Sequence, residues 1–224
     1  MIKRILYAAL LAGGVLAGYC AGSVSSREVL ERSAIAVEDI QRQNGLGIVV
    51  VDMQEEFVGE KNLHASQDHL LAQFRKEVEE ELEYQVEVLE AAKEKELPVF
   101  VLEYEGYGKT IPRINRTLQG YQKAHFLAKR TQNGFRATNL ERELQQEGVQ
   151  QVVLMGIYGK QCVMQTAIGA RAVGLEVIAS PQLIEDHPTD KGGASEGNLA
   201  QAWYRRNTIY AEDYVDILEA IEGR

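Results

Sequence analysis

Cysteine is nearly absent from this chain: two residues in 224, Cys20 and Cys162. Cys20 lies in an apolar leader, so the rest of the chain holds one thiol and no intradomain disulfide can form. No stripe of lysine and arginine is present, and the formal net charge is −9. Nucleic acid is therefore excluded as the main partner, because phosphate binding needs clustered cations. No internal repeat and no low-complexity tract interrupts the sequence. Gly192-Gly193 is not followed by Lys-Ser or Lys-Thr at the spacing of a phosphate loop. The mixed-sign run from Arg75 to Glu96 reads as a solvated helix face.

What is present begins with the leader. Lys3 and Arg4 precede an uncharged stretch from Ile5 to Ser26, with small residues at Ala21 and Ser23. A basic start, an apolar middle and small residues make a secretory signal pattern or an uncleaved anchor. Tyr19 before Cys20 is too bulky for the usual lipobox. The expectation over 1–26 is export or membrane attachment, placing the protein outside the cytoplasm. The alternative is an ordered apolar helix in a cytoplasmic protein. Residues 27–45 follow as an amphipathic helix with Val29, Leu30, Ala34, Val37 and Ile40 on one face, ended by Asn44-Gly45. That face packs on the domain or supports a homo-oligomer.

Residues 46–224 make one domain-sized unit. Strand-like runs fall at 46–51, 99–102, 125–128, 151–155, 175–179 and 208–210. Helical stretches separate them, notably 67–95, 139–147, 162–173, 192–204 and 215–221. Alternating strands and helices predict a three-layer α-β-α sandwich around a mostly parallel, six-stranded sheet, Rossmann-like in kind.

Three of these strands end in residues that carry chemistry. Leu46 to Val51 runs into Asp52, a short run after Ala124 ends at Lys129, and Val152 to Met155 leads through a glycine turn to Cys162. In an open parallel sheet the carboxyl ends of the strands share one edge, where ligands bind. The three side chains can converge there. A thiol at a strand-to-helix turn meets free N–H groups and the positive end of a helix dipole, which favour a thiolate. Taken alone, Cys162 is equally consistent with a small buried apolar residue. Asp52 alone reads as a helix cap, and Lys129 alone as a solvated cation.

The motifs decide between these readings. Asp52-x-Gln54-x-x-Phe57, then Lys129-x-x-x-x-x-Phe135-x-x-Thr138-x-Leu140, then Gly156-x-x-x-x-x-Cys162-Val163-x-x-Thr166-Ala167, stand in order. Over about residues 46–215 the chain resembles the isochorismatase-like cysteine hydrolases, which include nicotinamidases and carbamoyl-amide hydrolases. The resemblance implies that Cys162 is the nucleophile, Asp52 the acid and base, and Lys129 the electrostatic support. It also implies a cis peptide at Ile157-Tyr158 and an oxyanion hole from the N–H groups of Tyr158 and Cys162. Phe57, Tyr104, Tyr107, Phe135 and Tyr158 are then candidates to line the substrate pocket.

Nicotinamidases bind a divalent ion through an Asp-x-His pair after the second strand. Here that strand runs into Glu103-Tyr104-Glu105, and His64 and His69 are five apart, off a shared helical face. No metal and no cofactor is expected. Relatives that cleave a vinyl ether lack the cysteine nucleophile, so Cys162 points to C–N hydrolysis of a small amide or carbamoyl compound. The competing expectation is a catalytically silent binding or scaffold protein on the same fold.

Overall fold

The computed structural model describes residues 40, 45–58, 68–186 and 193–224. For 68–71 and 193–199 the backbone alone is described. The leader with Cys20, the amphipathic stretch up to Asn44 apart from Ile40, the loop carrying His64, and Gly192 lie outside the described residues. So does the His69 side chain. No described helix is long and apolar enough to cross a membrane.

The order of elements is β1 (Leu46–Val51), α1 (Glu55–Val58), α2 (Asp68–Glu94), β2 (Val99–Tyr104), α3 (Pro112–Thr117) and β3 (Ala124–Lys129). Then come α4 (Leu140–Gln146), β4 (Gln151–Ile157), a π-helical turn (Gly159–Val163), α5 (Met164–Ala172), β5 (Glu176–Ala179) and β6 (Ile184–Glu185). The chain closes with α6 (Gly193–Asn207), β7 (Ile209–Tyr210) and α7 (Tyr214–Glu222). The strand order is β3-β2-β1-β4-β5-β7, and β6 pairs with the end of β4. Every ladder among these strands is parallel.

The sheet thus has seven strands and not six. The extra strand is the two-residue β6, which pairs Ile184 with Gly156 and Glu185 with Ile157. Two residues are too few to show any periodicity in a sequence. The parallel, three-layer architecture is as expected from the alternation of strands and helices.

Parallel strands covered on both faces read as unbroken apolar runs. β1 and β4 follow this rule, with every residue of both buried. Alternate residues then supply two separate cores. Ile48, Val50, Val99, Val101, Val153 and Met155 pack on one face against Phe74, Val78, Leu82, Val86 and Leu89 of α2 and Ile217 and Ile221 of α7. Val49, Val51, Phe100, Leu102, Val152 and Leu154 pack on the other against Leu140 and Leu144 of α4, Ala167 and Ala170 of α5, and Tyr204 of α6. The α2 set recurs every three or four residues, so one stripe of the helix faces the sheet. At the edge, β3 is less covered, and Phe126 is 48% exposed.

Two local devices shape the structure around the ends of β1 and β4. Asp213 Oδ1 accepts the Val215 N–H at 3.0 Å and starts α7, which packs under the sheet. Gly156 has φ +131, and a Cβ there would lie 2.1 Å from the Val51 carbonyl oxygen. Only glycine lets β4 come this close to β1 at that point.

Candidate active site

Asp52 is the first residue beyond β1, the strand between β2 and β4. Its φ is +55, in the left-handed region that Asp tolerates better than most residues. This turns the chain sharply off the strand and keeps the side chain at the sheet edge. The residue is fully buried. Burial raises its carboxyl above the ordinary value, opposed by the Lys129 charge and by hydrogen bonding from Lys129 and the Cys162 thiol.

Lys129 ends β3, two strands away from β1. Neighbouring strands stand about 4.8 Å apart, so roughly 10 Å must be bridged past the end of β2. The lysine chain, the Asp52 side chain and the contact between them bridge it together. Its Nζ reaches Asp52 Oδ2 at 2.8 Å, with both side chains completely buried. The Thr131 carbonyl accepts a second bond from Nζ at 3.1 Å. Asp52 forms this contact as an ion pair, and its carboxyl also faces the Cys162 thiol, for whose proton it is an acceptor.

Cys162 lies in the π-helical turn between β4 and α5, and is 5% exposed. The turn follows a cis peptide bond between Ile157 and Tyr158. The Tyr158 carbonyl accepts the N–H groups of Gln161 and Val163 at 3.0 and 3.2 Å. Tyr204 of α6 donates its hydroxyl to the Gly159 carbonyl at 2.7 Å. Asp186 accepts the Lys160 N–H at 2.7 Å.

The protonation state differs from the sequence expectation of a thiolate. Burial, followed by the adjacent Asp52 charge, pushes the Cys162 thiol up to about 12. Lys129 opposes this but does not prevail. The Cys162 thiol is therefore held protonated at neutral pH, beside the buried Asp52–Lys129 pair. Iodoacetamide labelling of Cys162 is expected to be slow at pH 7 and to rise about tenfold per pH unit up to pH 10, because only the thiolate reacts. A plateau near neutral pH would show a resting thiolate instead.

The pocket candidates divide into two groups. Phe57, Tyr104, Tyr107 and Tyr158 form one cluster of rings. Phe57 stacks on Tyr107 with centroids 4.4 Å apart and meets the edges of Tyr104 and Tyr158 at 6.4 and 5.5 Å. Phe135 is partly buried and packs against the second core, as Tyr104 also does.

Two motif residues carry roles that sequence reasoning did not assign. The buried Gln54 side chain donates to the carbonyls of Tyr104 at 3.0 Å and Gly108 at 2.8 Å, and accepts the Tyr104 N–H at 2.6 Å. It ties the end of β1 to the end of β2. Thr166 of α5 accepts the Gly134 N–H at 3.0 Å, joining the cysteine-bearing helix to the loop after Lys129. Their place in the motifs was the available signal.

The second strand's carboxylate is committed elsewhere. Glu103 accepts the Thr110 N–H and hydroxyl at 2.9 Å each and pairs with Lys109 at 3.1 Å. Among the described residues, no group of three or more His, Cys, Asp and Glu side chains could hold a metal ion.

Comparison with solved structures finds the same fold. The nicotinamidase of Staphylococcus aureus aligns with a TM-score of 0.53 and 16% identity, covering 73% of this chain and 95% of its own. The N-carbamoylsarcosine amidase of Thermoplasma acidophilum gives 0.59 and 18%, covering 76% and 98%. An isochorismatase-like hydrolase of Alkaliphilus metalliredigens gives 0.63 and 21%, covering 79% and 99%. Comparison of the sequence with curated proteins gave no match. The isochorismatase domain model matches residues 47–191, a span that contains Asp52, Lys129 and Cys162. With that match over more than half of its length, the chain belongs to the isochorismatase family.

Proposed function

We propose that the protein is a metal-independent cysteine hydrolase that cleaves a C–N bond of a small amide or carbamoyl compound. The observation that carries this reading is the fully buried Asp52–Lys129 pair beside the buried Cys162 thiol. Two buried charges kept next to a nucleophile cost desolvation energy, and a chemical role accounts for them.

In the proposed reaction, Cys162 Sγ bonds to the substrate carbonyl carbon while its proton passes to Asp52. A carboxyl raised above its ordinary range is a stronger proton acceptor than a solvated one. Backbone N–H groups of Tyr158 and Cys162 receive the developing oxyanion. The C–N bond then breaks, Asp52 returns the proton to the leaving nitrogen, and a thioester on Cys162 remains. Water attacks the thioester, giving its proton to Asp52. The S–C bond breaks, the carboxylic product leaves, and the proton returns to sulfur. Lys129 holds Asp52 in place and offsets negative charge throughout. A catalytically silent protein would have no need to keep a buried ion pair against the thiol.

The test is release of ammonia or amine from a panel of small amides and carbamoyl compounds, with and without EDTA. Turnover of at least one compound, unchanged by EDTA, is expected. No turnover of any compound would favour the silent reading. Loss on chelation with recovery in Zn²⁺ would overturn the metal-independent one.

A further inference from the structure

Four groups meet the Lys129 ammonium: Asp52 Oδ2 at 2.8 Å, the Thr131 carbonyl at 3.1 Å, the Cys162 side chain, and the face of the Tyr104 ring, 4.3 Å from Nζ to the centroid. An ammonium has three N–H donors. A buried cation over an aromatic face is attracted by the ring's negative quadrupole. No water can substitute for that contact here, because the Lys129 side chain has no exposed surface.

The ring itself is fixed at several points. Gln54 holds the Tyr104 backbone from both sides, accepting its N–H and donating to its carbonyl. The Tyr104 hydroxyl donates to the Arg130 carbonyl at 2.9 Å, one residue beyond Lys129. Phe57 and Tyr107 pack edge to face against it, at 6.4 and 5.4 Å. In register, Tyr104 pairs with Lys129 across β2 and β3. The lysine side chain therefore crosses the end of β2 directly over the ring on its way to Asp52.

We propose that Tyr104 is a positioning residue: its ring face packs against the Lys129 ammonium and keeps that ammonium on Asp52, while Gln54 fixes the ring in place. This gives Tyr104 a task other than lining a pocket. Lysine is a flexible chain ending in a point charge, and its polar contacts alone leave it room to shift. The ring closes that freedom. The consequence for turnover rests on the proposed function; the positioning itself does not.

The test is a carboxyl ¹³C NMR titration of the full chain, with the Asp52 resonance assigned by its absence in Asp52→Asn. It needs no substrate, so its outcome is independent of the hydrolysis assay. Tyr104→Leu removes the ring and is expected to raise the Asp52 pKa by about one unit relative to the wild type. Tyr104→Phe keeps the ring and should leave it unchanged. Gln54→Leu should shift it in the same direction as Tyr104→Leu, and gives the same test if the latter does not fold. The other charged or titratable neighbours, the Cys162 thiol and the exposed Arg130–Glu105 pair, stay in place in all three variants. A variant that merely loosens the site admits water, which lowers the Asp52 pKa. An unchanged or lowered value in folded Tyr104→Leu or Gln54→Leu would overturn the proposal.

Discussion

Replacing Lys129 with methionine is expected to lower folding stability by about 3–5 kcal/mol at pH 7. Both members of the Asp52–Lys129 pair are completely buried, at 2.8 Å. Removing the cation alone leaves a carboxyl with neither solvent nor counter-charge. Methionine keeps much of the lysine volume, so lost packing contributes little. Urea denaturation of the two proteins at pH 7 measures the difference. The companion variant Asp52→Leu/Lys129→Met removes both charges and should recover most of the loss, since an apolar pair can replace a buried ion pair at little cost. A single substitution costing under about 1 kcal/mol would mean that water reaches the pair, as at exposed sites.

The pair also shows what a sequence can and cannot disclose. Asp52 and Lys129 were legible because each terminates an apolar run, and a parallel sheet gathers such ends on one edge. Cys162 was legible for the same reason, from the run Val152 to Met155. The charge state of the thiol was not. It depends on how deeply the π-helical turn is covered and on the distance to Asp52, and neither is written in a local pattern. The helix opens as a π-helical turn at Gly159 and runs on into α5, so Cys162 stands in its first turn.

Gln54 and Tyr104 illustrate a second limit. Both stood in view, one in a motif and one at the end of the second strand. Their significance comes from three hydrogen bonds and one ring face that join residues distant in the chain. Phe135 is packed, partly buried, against the second core. The strand β6 was hidden because Ile184-Glu185 is a strand only through its pairing with Gly156-Ile157. That pairing braces the segment leading into the Cys162 turn.

Cys162→Ala has the largest expected effect on activity. The substitution removes one sulfur from a buried position and leaves Asp52 and Lys129 intact, so the fold should persist. Without sulfur no thioester can form. The remaining route is direct attack of water on the amide, aided by Asp52, backbone donors and binding but without a covalent intermediate. The expected loss is a factor of about 10³ or more, which corresponds to roughly 4 kcal/mol of transition-state stabilisation. Thermal unfolding of the two proteins, run in parallel, separates loss of the nucleophile from loss of the fold.

The most direct measurement of the central claim is ammonia or amine release by Cys162→Ala and by the wild type, side by side, on an amide that the wild type turns over. A folded variant with turnover at or near background is the expected result. Turnover equal to that of the wild type would remove Cys162 from the chemistry and contradict its role as nucleophile.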